Sequence, residues 1–256
     1  MRYSPEATED LERNFILVRQ ELQDLWISLI GEVAPVLNME RAKEFILQGV
    51  CRRLNIIQGC IRNIYRIFPV ERTQLLDENE RADVAINLHA FLINIHAVPD
   101  NLAWAYLLER GVTLKPSQVG LFNKHTKPYM RKEIFESLKS NGITKWHIGY
   151  AKNYRDALAH RIPPYVAPAV LTPEQEEKHR GLGEQISVAS KAGDFERALA
   201  LTEEQEACGG ICLAFAQSFL DKEACHPVIL HAQILADART VIKIINIVRP
   251  HLLPAC

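Results

Sequence analysis

Residues 46–68 read ILQGVCRRLNIIQGCIRNIYRIF. Within them Ile46, Val50, Leu54, Ile57, Ile61, Ile64 and Phe68 recur at steps of four and three. That spacing places apolar side chains on one face of a helix. Pro69 follows and sets the stop. The same period extends in both directions. Upstream, Leu11, Phe15, Val18, Leu22, Leu25 and Leu29 form one stripe, punctuated by Pro35 and Asn38. Downstream, Asp77 and Glu80 have the spacing of a capping box. They open a run of Val84, Leu88, Phe91, Ile95, Val98, Leu102 and Tyr106 that lasts to Gly111. Pro99 interrupts that run, lacks an amide and crowds the preceding turn, so a kink or short break is expected there.

The remaining segments are also helical. Residues 129–140 and 143–161 read as two short helices, separated by Asn141-Gly142 and stopped by Pro163-Pro164. Thr172-Pro173-Glu174-Gln175 combines an N-cap, a proline at the first turn and a glutamine at N3. It starts a helix to about Lys191. Gly193-Asp194 then turns the chain into a second helix to about Ala207. Residues 211–219 fit a short strand or an irregular apolar segment, and 226–249 a last helix ended by Pro250. The expected class is all-α: a helical bundle with an inserted αα-hairpin. The expected division is a core over 1–165, an acidic hairpin and irregular insertion over 166–224, and a C-terminal helix over 225–256 that packs back on the core.

Composition narrows the function. The chain has 256 residues, 30 Lys and Arg against 31 Asp and Glu, and 48% hydrophobic residues. A globally basic nucleic-acid coat and an acidic tail protein are both excluded, and the chain reads as globular rather than disordered. No apolar run approaches the roughly 20 residues of a membrane span, so no membrane partner is expected. The opening MRYSPEATEDLER lacks a basic-then-apolar leader, and six cysteines are sparse; both point to a cytoplasmic protein with free thiols. Charge is uneven along the chain. Residues 40–72 hold seven basic and three acidic side chains, residues 124–161 nine and three, and the 172–206 hairpin four and nine. No phosphate-binding glycine loop, GxGxxG, GxSxG or HExxH is present.

Chemistry concentrates in Asn153-Tyr154-Arg155-Asp156-Ala157-Leu158-Ala159-His160-Arg161-Ile162-Pro163-Pro164. An arginine fork matches phosphate oxygens, and a histidine exchanges protons near neutral pH. Together they suit phosphodiester cleavage, with histidine accepting the attacking hydroxyl's proton and arginine stabilising charge on the phosphate. Positions five apart sit about 140° apart around an ideal helix. Arg155 and His160 therefore share no face, whereas Asp156 and His160 do. A joint site requires a distorted helix end, a long reach by Arg155, or a second copy of the motif.

In these residues the chain resembles the HEPN superfamily, α-helical proteins of which many are metal-independent endoribonucleases in toxin–antitoxin and defence systems. The family signature is an arginine, a polar residue, and a histidine four to six residues after the arginine; Arg155, Asp156 and His160 match it. The resemblance implies a HEPN-like bundle and a homodimer that joins two copies of the motif in one cleft. It also implies RNA cleavage through 2′-hydroxyl attack, with Arg155 and His160 catalytic, Asp156 orienting the histidine, and no cofactor or metal.

Other residues fall around that motif. Arg52, Asn55, Gly59, Arg62 and Arg66 step along one helix face, and with Arg161 they are candidates for RNA or phosphate binding. Asn87, Asn94 and Asn101 recur every seven residues and suit a helix–helix seam with buried hydrogen bonds. Asn94, Asp100 and Asn101 are candidates to support the Arg155 motif. Cys208, Cys212, Cys225, His226 and His231 are too loosely spaced for zinc and read as ordinary buried groups. Two alternatives to the nuclease remain: a non-catalytic HEPN-like module binding a nucleotide, RNA or protein, and a structural dimer that docks a protein on the 172–206 hairpin.

Overall fold

The computed structural model describes residues 2–216 and 227–252. Helix α1 (Pro5–Ser28) is capped by Ser4 and widens into a π-turn over Leu29–Val33. Helix α2 (Glu40–Glu44) passes through a longer π-segment, Phe45–Cys51, into α3 (Arg52–Ile67). The stop before Pro69 falls where the sequence places it. The long α4 (Glu78–Glu109) opens on the expected box: Glu80 N–H donates to Asp77 Oδ1 at 2.8 Å and Asp77 N–H to Glu80 Oε2 at 3.0 Å. Arg72 grips the same carboxylate from the preceding loop.

Pro99 does not break α4. The helix runs through it, and Val98, Pro99 and Leu102 are all buried. One missing amide is a local loss, whereas α3, α7 and α10 pack on α4 and keep it helical through that turn.

Helices α5 (Lys132–Ser140) and α6 (Ile143–Trp146) follow, with Gly142 between them at φ +72, a conformation that suits glycine. A π-turn, His147–Ala151, joins α6 to α7 (Lys152–His160). Beyond α7 the chain is mostly helical but not purely so. Strands β1 (Tyr165–Val166), β2 (Ala214–Ala216) and β3 (Val228–Ile229) form a small antiparallel sheet in the order β1-β2-β3. Val166 pairs with Phe215, and Phe215 with Val228. The apolar segment after residue 210 is therefore a strand over 214–216. Its continuation to 219, together with Cys225 and His226, lies outside the described residues. The last helix, α10 (Leu230–Val248), starts later than its apolar period suggests, because Val228 and Ile229 are claimed by the sheet.

Between β1 and β2 the chain projects an arm, α8 (Pro173–Lys191) and α9 (Phe195–Glu206). Thr172 caps α8 through the box read from sequence, and Asp194 caps α9. The arm leaves through a neck where Val170 and Gly210 exchange backbone hydrogen bonds of 2.8 and 2.9 Å. Its buried side chains, Leu182, Ala189 and Ala198, belong to its own small core. The main core joins α1, α3, α4 and α10, and takes in Val166 and Phe215 of the sheet and Leu213 just before β2. Among the described residues no helix is long and apolar enough to cross a membrane.

His231 is a structural member of that core. Its Nε2 donates to the Phe68 carbonyl at 2.6 Å, and its Nδ1 accepts from the Tyr3 hydroxyl at 3.0 Å. Both ring nitrogens are thus engaged, and burial pushes its pKa down to about 4. The thiols of Cys208 and Cys212 point at backbone carbonyls, and no metal-ligand cluster occurs among the described residues.

Candidate functional site

The seam between α3 and α4 is built from amides. The Asn63 amide donates to Asn87 Oδ1 at 3.0 Å. One and two heptads further, Asn94 Oδ1 and Asn101 Oδ1 accept from Arg53, at 2.9 Å from Nη1 and 2.8 Å from Nε. Asn94 cannot turn away, because its own amide nitrogen is tied to the Ala90 carbonyl at 2.7 Å. The asparagine period thus orients an arginine across the seam. Gly49 makes the approach feasible: a Cβ there would lie 3.1 Å from the Asn101 side chain.

Asp100 lies on the other side of this seam. Its carboxylate packs so closely on Gly120 that a Cβ there would sit 2.8 Å from Oδ1. Burial pushes the Asp100 carboxyl up to about 6, while the Leu121 amide and the charges of Arg155 and Arg53 pull in the opposite direction. Asp100 therefore stands in the field of both arginines. His96 lies one turn earlier on α4 and faces His147 of the π-turn, ring centroids 5.3 Å apart. Phe122 stacks on His147 at 3.8 Å. Burial, and then the Arg155 charge, pushes His96 down to about 4. His147 is pushed down to about 4 by burial, with His96, Lys152 and Arg155 adding to it. The histidine pair is neutral at pH 7, and Nδ1 of His147 is buried without a hydrogen bond.

The helix α7 presents its motif in two directions. Arg155 is half-buried, contacts Asp156 with Nε 3.2 Å from Oδ1, and projects its charge onto the His96–Asp100 centre. Asp156 is engaged by Arg155, and no bond joins it to His160 among the described residues. His160 is the last residue of α7 and is exposed, as is Arg161, whose backbone is already extended. The chain beyond is held: His89 Nε2 donates to the Pro164 carbonyl at 2.6 Å, tying the double proline to α4. The two faces expected from a five-residue spacing are thus the two faces observed in the chain.

The basic track on α3 is divided. Arg52 lines a groove of about 380 Å³ with Arg41, Arg53, Asn94 and Asn101. Arg62 and Arg66 line a separate groove of about 540 Å³ against α1, where Glu12 and Glu71 oppose them. Asn94 and Asn101 serve Arg53, whereas Asp100 and His96 of α4 meet the field of Arg155. Sequence reasoning singled out neither Arg53 nor His147. Arg53 did carry a signal: it sits three residues after Val50 and four before Ile57, a charge at a seam position opposite the heptad asparagines. Comparison of the chain with protein-family models, with curated proteins and with solved structures gave no match.

Proposed function

We propose that this chain is a HEPN-like, metal-independent endoribonuclease of the cytoplasm that works as a homodimer, of the kind used in toxin or phage-defence systems. One observation supports the reading most: His160 is exposed at the anchored end of α7, while Arg155 of the same helix is half-buried and acts by its charge on Asp100. A proton-transfer group stands in solvent and a phosphate-binding group stands one and a half turns away. Two copies meeting at α7 bring two histidines, one neutral and one protonated, and the Arg155 side chains to one phosphate. In the reaction the RNA 2′-hydroxyl attacks the adjacent phosphorus and gives its proton to one His160. The P–O5′ bond breaks, the leaving oxygen takes a proton from the second His160, and a 2′,3′-cyclic phosphate and a 5′-hydroxyl remain. Arg155 stabilises the charge on the non-bridging oxygens. Arg161, exposed beside His160, contacts the flanking phosphate.

The second reading is a non-catalytic RNA- or nucleotide-binding dimer. It is favoured by the divergence of Arg155 and His160 in one subunit and by the pairing of Asp156 with Arg155. Purified protein incubated with RNA in EDTA separates the two, with His160→Ala and Arg155→Ala as variants matched for fold and oligomeric state. Cleavage to cyclic-phosphate ends by wild type alone is the expected result. Equal cleavage by His160→Ala refutes the catalytic assignment, and binding without cleavage by all three proteins supports the second reading.

A further inference from the structure

Arg53 differs from the other arginines of the chain in how it is held. It is half-buried, and the two side chains that bond it are neutral amides. Arginine has five N–H donors in a rigid fork. The bonds to Asn94 and Asn101 occupy two, and the rest have no protein partner among the described residues. Neutral acceptors fix the guanidinium without cancelling its charge, and side-chain entropy is already spent in the free protein. The charge of Asp100 acts on it from a distance, and the bonds to Arg53 come from Asn94 and Asn101.

The groove that Arg53 lines is shaped by a local defect. The π-segment Phe45–Cys51 widens the helix beside Asn101, with Gly49 at the closest approach. Such widened turns recur at binding sites. On the groove wall Arg52 is exposed and adds a second positive charge, while Arg41 is engaged by Glu44. The amides of Gln48, Asn94 and Asn101 complete the polar part of the lining, and Phe45, Gly49 and Ile56 form an apolar wall. Ile56 is 44% exposed, and Phe45 is stacked on Trp104 with ring centroids 5.2 Å apart. A volume of about 380 Å³ is at the lower end of small-molecule sites.

We propose that this groove binds one nucleotide unit, with its phosphate on Arg53 and Arg52 and its ring against Ile56 and the edge of Phe45. A bare anion would leave the apolar wall wet, and an apolar ligand would leave the guanidinium unanswered; a phosphate joined to a flat ring satisfies both. The unit is either a free nucleotide or one residue of an RNA strand. The site is independent of RNA cleavage and does not use His160.

Calorimetric titration of the full chain tests this with four probes: 5′-AMP, adenosine, inorganic phosphate, and a 2′-O-methyl RNA hexamer that cannot be cleaved by 2′-hydroxyl attack. 5′-AMP should bind at least tenfold more tightly than adenosine or phosphate. Arg52→Gln, an exposed change that leaves the fold untouched, should weaken AMP at least fivefold, and Arg53→Gln should abolish it. Arg13→Gln on α1 serves as the control and should match wild type. Loss of hexamer binding in the same variants assigns the site to a strand; hexamer binding unchanged beside lost AMP binding assigns it to a free nucleotide. No binding of AMP or hexamer by wild type, or binding by Arg52→Gln and Arg53→Gln equal to the control, overturns the proposal. Binding that persists in His160→Ala, whatever that variant does to RNA, keeps this site separate from the nuclease reading.

Discussion

Asp237 offers a sharp test of how burial sets charge in this fold. It lies on α10, 1% exposed, and its Oδ1 accepts from Trp146 Nε1 and Gln233 Nε2, each at 2.8 Å. Its Oδ2 and the nearby Tyr150 hydroxyl are both buried without a hydrogen bond. Burial pushes the carboxyl from its usual 3.8 up to about 7. The sign follows from linkage. Between pH 3.8 and about 7 the folded protein keeps a proton that the unfolded chain has released, so stability falls as pH rises through that window and is level above it. At about 1.4 kcal/mol per pH unit, the loss by pH 8 is about 4 kcal/mol. Asp237→Asn keeps the Oδ1 acceptor, cannot ionise, and offers its amide to the Tyr150 side. Chemical denaturation of both proteins between pH 4 and pH 8 should show nearly equal stability at the acid end. The variant should gain with rising pH, up to about 4 kcal/mol at pH 8. Every other titrating group is common to both proteins and cancels. A difference that does not change with pH, or a variant less stable at pH 8, would refute the reasoning.

Three further outcomes are expected. Gly120→Ala places a Cβ 2.8 Å from Asp100 Oδ1 and should lower stability by about 1–3 kcal/mol, read from thermal unfolding. His231→Leu strands the Phe68 carbonyl and the Tyr3 hydroxyl in the core; about 2–4 kcal/mol should be lost in urea denaturation, and adding Tyr3→Phe should cost less than it does alone. His96 and His147 are held neutral with pKa values near 4, below the unfolded 6.5. The stability they contribute above pH 6.5 is lost as pH falls toward 4, and His147→Phe, which can retain the stack on Phe122, should flatten that limb of the stability curve.

The helices were legible because each buries one face, and a period of 3.6 survives in the residue order. Leu54, Ile57, Ile61 and Ile64 are all buried on α3 as their spacing requires. Caps were legible too, since Asp77, Thr172 and Asp194 act within three residues of themselves. The continuity of α4 through Pro99 was not legible, because it depends on helices that arrive from elsewhere in the chain. Strands of two or three residues carry too little period to be read; β1 and β3 exist only because β2 returns between them after the arm. The same division holds at the site. That Arg155 and His160 leave α7 on different faces follows from the helical angle alone, whereas which of them turns inward depends on what packs against α7. The Arg53 clamp and the His96–His147 pair join residues 41 to 51 positions apart, which no local pattern announces.

The neck at Val170 and Gly210 has an architectural consequence. Both strands of the arm enter and leave the core through a single backbone pair, with Gly209 at φ +99 making the tight approach beneath Leu171. The two chain ends are thus as near as neighbouring strands, about 5 Å. Whatever hangs between them closes the same small gap, and lengthening it adds closure entropy only as a logarithm. The neck is a socket: an arm of another length or charge closes the same gap without retuning α4 or α7.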